Sequence, residues 1–279
     1  MKKLYGVIGD PIAHSMSPAM HNDLFRFYQC DAEYFPFRVN RSSLKEAVLG
    51  LKAIGAGGFN VTIPHKTSVI ELMDEMDPLA LSIGAVNTVT IEDGRLIGHN
   101  TDGPGFVRGL EEKLGSIEDR KVLIVGAGGA AKGIFYSIAA SGVSKIDIAN
   151  RTLSKAEALL ANCPFDVHSS ILDLDTAERK AGDYSLIIQT TSIGMNPLTE
   201  EAPLSLHNLR KGSFISDIIY NPLKTRFLQQ AEANGAGIQN GLDMFVWQGA
   251  LAFEKWTGIF PDLERMRNTV MNQLGGTTC

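Results

Sequence analysis

The chain has 279 residues, 44% of them hydrophobic, with 26 Lys and Arg against 31 Asp and Glu for a formal charge of −5. That length holds one large or two ordinary domains with real cores, and the acidic balance argues against a nucleic-acid binder, which carries a basic face. No apolar run approaches the ~18 residues of a membrane span, and the N-terminus enters strand-like sequence without the apolar stretch of a signal peptide.

In chain order, Leu4–Ile8 reads as a strand, and Ser17-Pro18 opens a helix with Ser17 as N-cap and Pro18 at its first position. Ala32–Val39 follows as a strand, then a helix over Ser42–Ile54 with Leu44, Ala47, Val48 and Leu51 on one face. Gly58–Ile63 is a strand stopped by Pro64, and Val86–Ile91 with Arg95–His99 flank Glu92-Asp93-Gly94, which suggests a hairpin or similar turn. A helix restarts at residue 103. Strands are then expected at Val122–Val125, Lys145–Ala149, Ser185–Ile188, Ser213–Ile218 and Gly237–Gln239, and helices at Ala156–Ala161, Lys224–Ala233, Met244–Trp256 and Asp262–Gln273. Alternation of β and α throughout predicts an α/β protein of two domains with parallel-rich sheets, the second domain a Rossmann unit.

The stretch Val122-Leu-Ile-Val-Gly-Ala-Gly-Gly-Ala-Ala131 carries the most chemistry. Four apolar residues run into glycines and then into a helical sequence. A strand, a glycine turn and a helix N-terminus together hold a dinucleotide pyrophosphate. Gly126 allows the tight turn, Gly128 lets the backbone approach phosphate, and Ala131 takes the third small position, with Ala127, Gly129 and Ala130 completing the cradle. One strand later, where an NAD enzyme places an acid on the ribose hydroxyls, the chain has Asn150-Arg151-Thr152, with Lys155 a turn further on. An acid there would repel a 2′-phosphate, whereas an arginine, a hydroxyl and a lysine bind one through charge-assisted hydrogen bonds. The cofactor expected is NADP. The alternative, a solvated Arg151 beside an N-capping Thr152, is the blander one.

Polar groups in the first hundred residues collect at strand ends and loops: His14, Ser15 and Ser17, then Thr62, His65 and Lys66, then Asn87 and Thr88, then Asn100, Thr101 and Asp102. Ligands of open α/β sheets sit outside the carboxyl ends of strands, so these groups can converge. Taken singly, Ser17 could be only a cap, Asn100 and Asp102 only turn formers, and Lys66 one surface lysine among many. His65 neighbours Lys66 on a strand-like run and points the other way, and His14 reads as a loop histidine that satisfies local hydrogen bonds. Cys30, Cys163 and Cys279 are far apart, odd in number and without ligand spacing, which suits reduced thiols of a cytoplasmic protein. The six histidines do not pair at ligand spacings either, so no metal is expected.

These segments resemble the signature segments of the shikimate dehydrogenase family. The likeness is carried by Gly6–Pro18, Asn60-Val-Thr-Ile-Pro-His-Lys66, Gly84-Ala-Val-Asn-Thr88, Gly98-His-Asn-Thr-Asp-Gly103, Gly126–Ala130, Asn150-Arg-Thr152, Asp217-Ile-Ile-Tyr-Asn-Pro222 with Thr225, and Gly241–Gln248. It covers essentially the whole chain in order. The resemblance implies a discontinuous substrate domain, residues 1–102 with 241–279, an NADP domain inserted as residues 103–240, and an active site in the cleft between them. It implies reversible NADPH-dependent reduction of 3-dehydroshikimate to shikimate, on the route to chorismate and aromatic amino acids. By the same resemblance Ser15 and Ser17 hold the substrate carboxylate with help from Tyr220. Thr62, Asn87 and Gln248 contact ring hydroxyls, Ile218 makes an apolar contact to the nicotinamide, and Gly241 belongs to the cofactor-binding residues. Lys66 and Asp102 carry proton transfer, or Lys66 acts as an electrostatic clamp while Asp102 or water shares the proton traffic. Monomer and homodimer both stay open.

Two departures from the family pattern stand out: Gln189-Thr190 where the family commonly has Asn-Ala, and Ile218 where several relatives carry Met. The nearest alternative is a quinate/shikimate dehydrogenase, often NAD-dependent, against which Asn150-Arg151-Thr152 and the two serines at 15 and 17 speak. A cofactor-binding regulator without chemistry would be expected to lose Lys66 or Asp102, and both are present. A scaffold that merely shares the fold would have no need of the polar constellation.

Overall fold

A computed structural model describes residues 2–275. The chain divides into two compact units, one running to Thr101 and resuming at Val246, the other Asp102–Phe245. Asp102 and the stretch Gly241–Phe245 therefore group with the second unit. Among the described residues no helix is long and apolar enough to cross a membrane. Cys30 and Cys163 are free thiols, and Cys279 lies outside the described residues.

The first unit contains β1 (Lys3–Gly9), α1 (Ser17–Phe27), β2 (Ala32–Arg38), α2 (Leu44–Ala53), β3 (Gly58–Val61), β4 (Glu75–Met76), α3 (Pro78–Ile83), β5 (Thr88–Glu92) and β6 (Arg95–His99). They build a six-stranded sheet in the order β2-β1-β3-β5-β6-β4. It is mixed rather than uniformly parallel: β5 runs antiparallel to both β3 and β6. The reversal comes from the expected hairpin, whose turn residues Asp93 and Gly94 both have positive φ (49° and 74°), the backbone that matches strand twist in a two-residue loop. Leu44, Val48 and Leu51 of α2 bury against Ile8, Phe59, Val61 and Val89 of the sheet, as the helical spacing of those residues requires. Ser17 is not the cap of α1. Met16 stands there without a side-chain bond, Ser17 and Pro18 are the first two helical residues, and the Ser17 N–H instead donates to Ser15 Oγ at 3.3 Å.

The outer edge of β2 is sealed locally. The Asn22 side chain donates to Tyr34 O at 2.9 Å and accepts from Tyr34 N at 2.8 Å, and the next outward backbone position is Pro36, which has no N–H to offer.

The second unit contains α4 (Asp102–Leu114), β7 (Val122–Val125), α5 (Gly129–Ala140), β8 (Ile146–Ala149), α6 (Leu153–Ala161), β9 (Ile171–Leu172), α7 (Leu174–Arg179), β10 (Leu186–Gln189), β11 (Phe214–Asp217), α8 (Arg226–Ala233) and β12 (Gly237–Gln239). Its sheet is parallel throughout, in the order β12-β11-β10-β7-β8-β9. Numbered within the unit this is 3-2-1-4-5-6, the doubly wound order, with the reversal between β7 and β10. Val122–Val125 and Leu186–Gln189 are buried along their whole length, as central strands covered on both faces must be. The helix α9 (Gly241–Thr257) contributes to both units, and α10 (Leu263–Gln273) completes the first. There Gly249 of α9 meets Met20 and Met266, and Trp256 Nε1 donates to Val89 O at 3.0 Å.

Candidate functional site

In the first unit, backbone bonds draw the polar segments to one end of the sheet. Asp10 N donates to Ile63 O at 2.9 Å, Thr62 N to Ile8 O at 3.0 Å, Val61 N to Asn87 O at 2.8 Å and Val86 N to Lys66 O at 2.8 Å. The segments that carry Ser15, Thr62, Lys66 and Asn87 are thus stitched to one another. His65 turns inward, fully buried with Nε2 2.6 Å from Val39 O, while Lys66 beside it is only half-buried. The two are not strand neighbours, since β3 ends at Val61 and residues 62–66 form a turn. Strand alternation therefore does not set His65 apart from Lys66, and it is burial that separates them. His14 is exposed and makes no side-chain hydrogen bond among the described residues, so it is not the locally satisfied histidine expected.

Beneath this surface lies a polar network that sequence reasoning did not foresee. The buried Tyr34 hydroxyl donates to Asn60 Oδ1 at 2.7 Å and also faces the Ser17 hydroxyl. Asn60 Nδ2 donates to Asn87 O at 3.1 Å and to Thr88 Oγ1 at 3.0 Å. Asn87 Oδ1 accepts from Thr101 N at 2.7 Å, and Asn87 Nδ2 donates to Thr101 Oγ1 at 3.0 Å. Buried polar groups must be paired, and here the pairing orients Ser17 and Asn87, two of the proposed substrate residues, from behind. Burial pushes the Tyr34 phenol well above its ordinary range, with the Ser17 hydroxyl pulling the other way, so Tyr34 is a fixed donor. Asn60 lay within a motif read from the sequence, but its partner on β2 is 26 positions away, and no local pattern links the two.

The segments proposed for the cofactor in the second unit start at strand carboxyl ends, with Gly129 and Ala130 running into α5 and Lys155 lying in the first turn of α6. Gly126 follows β7, Asn150 follows β8, Ile218 follows β11, and Gly241 comes just after β12. Gly126 has φ +117°, and a Cβ there would stand 2.5 Å from Thr190 Oγ1, so only glycine serves. Gly128 and Gly129 have open space where a Cβ would project and are exposed with Ala130. The first N–H groups of α5, which lack intrahelical acceptors, face that space. This is a cradle for an anion, and a dinucleotide pyrophosphate fits it.

Past β8, Arg151, Thr152 and Lys155 are exposed, and neither Arg151 nor Lys155 has an ion pair or side-chain hydrogen bond among the described residues. Thr152 occupies the N-cap position of α6 but its hydroxyl does not cap. The plain capping role is therefore unfilled, and two cations and a hydroxyl stand uncommitted where a phosphate monoester would be met. Asn150 Nδ2 is held to Thr152 O at 2.7 Å, which fixes the loop.

Gly241 packs its Cα against the Ile218 carbonyl, where any side chain would collide, and its N–H donates to Ile219 O at 2.9 Å. It sets the course of the Ile218 segment. Asp217 anchors the same segment from below, with Oδ1 accepting from Ile219 N at 2.9 Å and Oδ2 from Thr225 Oγ1 at 2.7 Å. Burial pushes its carboxyl up to about 6 against those two bonds. The Tyr220 ring lies tilted at 38° against Phe245, with centroids 5.4 Å apart, and burial raises its phenol.

Comparison with known proteins bears on these features. Residues 7–89 match the family model for the shikimate dehydrogenase substrate binding domain, residues 109–222 that for shikimate / quinate 5-dehydrogenase, and residues 241–271 that for the shikimate 5'-dehydrogenase C-terminal domain. The chain is 54% identical to the shikimate dehydrogenase (NADP(+)) of Bacillus anthracis over 99% of its own length and 100% of the relative's. Among solved structures it is similar to a shikimate dehydrogenase crystallised with NADP+ (41% identity, TM-score 0.90, 98% of this chain and 96% of that one). It is also similar to the shikimate 5-dehydrogenase of Listeria monocytogenes in complex with shikimate and NAD (37% identity, TM-score 0.93, 96% of each chain).

Proposed function

The chain belongs to the shikimate dehydrogenase family, and from that premise we propose how its own residues divide the work. The protein is an NADP-dependent oxidoreductase that interconverts 3-dehydroshikimate and shikimate in aromatic biosynthesis. The observation that most supports the finer assignment is the one network behind the first unit's polar surface, which orients Ser17 and Asn87 together.

Residues 1–102 with 241–279 act as the substrate domain and residues 103–240 as the NADP domain. A small polyhydroxylated acid is recognised by short polar side chains, because each rejected analogue would leave a built donor or acceptor unpaired. Ser15 and Ser17 bind its carboxylate through their hydroxyls, with Tyr220 assisting. Thr62, Asn87 and Gln248 take the ring hydroxyls and hold the carbonyl carbon in place.

NADPH, when bound, supplies the hydride. In the direction of reduction the Lys66 ammonium stabilises the oxyanion that develops on the substrate carbonyl and delivers its proton to that oxygen. In the reverse direction the neutral amine takes the alcohol proton. Asp102 fixes the lysine and shares the proton traffic. On the cofactor side, Gly126, Ala127, Gly128, Gly129 and Ala130 hold the pyrophosphate at the start of α5. Asn150, Arg151, Thr152 and Lys155 hold the 2′-phosphate, and Ile218 covers the nicotinamide on a segment set by Gly241. No metal enters this scheme. The protein works in the cytoplasm as a monomer or homodimer, without nucleic-acid or membrane partners.

The test mixes purified protein with shikimate or quinate and with NADP+ or NAD+, and follows the reduced-nicotinamide absorbance. Fast reduction with shikimate and NADP+ alone is expected. Comparable turnover of quinate, or with NAD+, would make the protein the broader dehydrogenase.

A further inference from the structure

Gln189 and Thr190 sit where β10 ends, next to the reversal in strand order, and the scheme above gives them nothing to do. Their side chains are nevertheless both spent on backbone. Thr190 Oγ1 donates to Val125 O at 2.7 Å, and its own N–H donates to the same carbonyl at 2.9 Å. Val125 is the last residue of β7, and the glycine turn begins at the next position. On the far side of that turn, Gly126 N is held to Ala149 O at 2.8 Å. The Thr190 hydroxyl fills the space over Gly126 that a Cβ would need. The turn is thus clamped between β8 on one side and a threonine on the other.

Gln189 is fully buried and folds back on the following loop. Its Nε2 donates to Thr191 O at 3.1 Å and to Ile193 O at 3.0 Å, and its Oε1 accepts from the Thr191 N–H. Its backbone carbonyl accepts from Ile218 N at 3.2 Å. One dipeptide therefore touches the glycine turn, the loop Thr191–Ile193 and the Ile218 segment. None of these bonds faces a ligand, so neither residue is catalytic.

We propose that Gln189 and Thr190 are positioning residues for the dinucleotide: Thr190 holds the pyrophosphate turn in its binding shape, and the Gln189 side chain holds the shape of the Thr191–Ile193 loop at the strand end whose backbone carbonyl pairs with Ile218 N. The proposal rests on the reading that the second unit binds NADP. Thr190 acts on the turn, which meets the pyrophosphate shared by NADP+ and NAD+, so its loss weakens both cofactors by one factor. The 2′-phosphate residues, by contrast, discriminate between the two.

The experiment compares the whole protein with Thr190→Val, which keeps the shape and removes the hydroxyl, and Thr190→Ser, which keeps the hydroxyl. Cofactor affinity is read by NADPH fluorescence titration, KM for NADP+ and for NAD+ at saturating shikimate, and KM for shikimate at saturating NADP+. Thr190→Val is expected to weaken both cofactors about 5- to 20-fold, the scale of one lost buried hydrogen bond, with KM for shikimate within about twofold. Thr190→Ser should restore affinity to within about twofold. Gln189→Leu should lower kcat more than it raises the NADPH dissociation constant, because its loop and the Ile218 segment lie beyond the pyrophosphate. Unchanged cofactor affinity in Thr190→Val, or an equal rise in KM for shikimate, overturns the proposal. If the unaltered protein fails to bind NADPH, it is the cofactor reading itself that falls.

Discussion

The hydroxyl of Tyr34 donates to Asn60 Oδ1 across 2.7 Å in a buried setting, and through Asn60 it reaches Thr88, Asn87 and Thr101. Tyr34→Phe removes one donor and leaves the Asn60 oxygen buried without it. The expected cost is about 1–3 kcal/mol of stability, read from denaturant midpoints. With Ser17 and Asn87 less firmly held, KM for shikimate should rise several-fold while KM for NADP+ stays put. An unchanged KM for shikimate would detach the network from substrate binding.

Lys66→Ala should lower kcat by about 10²-fold or more if the amine transfers the proton, with NADPH binding little changed. Stopped-flow turnover and a parallel cofactor titration separate the two. A variant with full kcat removes Lys66 from the mechanism.

Arg151→Ala should raise KM for NADP+ by about tenfold or more, the scale of a charge-assisted hydrogen bond, and leave KM for NAD+ nearly unchanged. Equal effects on both would sink the 2′-phosphate assignment.

His21 is fully buried against Tyr34 (ring centroids 4.6 Å) and Trp256 (5.3 Å), with neither ring nitrogen hydrogen-bonded to another described residue, and burial drives its pKa down to about 3. The folded pKa lies below the unfolded value of 6.5. The unfolded chain therefore binds the extra proton first, and stability falls as pH drops from 6.5 towards 3, by at most about 1.4 kcal/mol per pH unit. His21→Leu removes both orphaned atoms at similar volume. It should stabilise by about 1 kcal/mol at neutral pH and by more at pH 5. Equal denaturation midpoint shifts at the two pH values would show that the ring is not kept neutral.

Asp217 has the opposite sign. Burial raises its folded pKa to about 6 from 3.8, so the native state holds the proton longer. Its contribution is fully present below 3.8 and is lost as pH rises through about 6. Between 3.8 and 6 this slope opposes that of His21, so Asp217→Asn should leave His21 unopposed and make stability fall more steeply as pH drops through that window. A profile with unchanged slope between pH 4 and 6 would contradict this.

Long elements with strong periodicity were legible in the residues. The glycine turn, the αβ alternation of the second unit and the Asp93-Gly94 hairpin each rest on local chemistry that the chain displays. The two-residue strands Glu75–Met76 and Ile171–Leu172 have no room for a period. The six-residue helices Pro78–Ile83 and Leu174–Arg179 are marked only by their caps, Asp77 bonding Ala80 N at 2.7 Å and Asp173 bonding Thr176 N at 2.6 Å. Pro18 misplaced a cap: it sits comfortably in either of the first two helical positions, so it does not say which residue precedes the helix. At the site, side chains that lie on recognisable motifs could be named. Those that orient them from behind, Tyr34 and Thr190 among them, take their meaning from partners far along the chain.

The first unit is closed by residues that come last. Tyr5, His21 and Phe25 pack on Trp256 and Phe253, and Arg265 makes a two-bond pair with Asp23 (2.5 and 2.9 Å). On the ribosome, the sheet that ends at His99 and the α1 residues His21 and Phe25 that pack on it emerge first, yet the Trp256 and Phe253 side of that cluster is not supplied until the entire intervening unit has been made. At ~5–20 residues per second that interval is on the order of ten seconds. For that interval the aromatic cluster of the first unit stays half-built, its α1 rings in place and its α9 rings still to come.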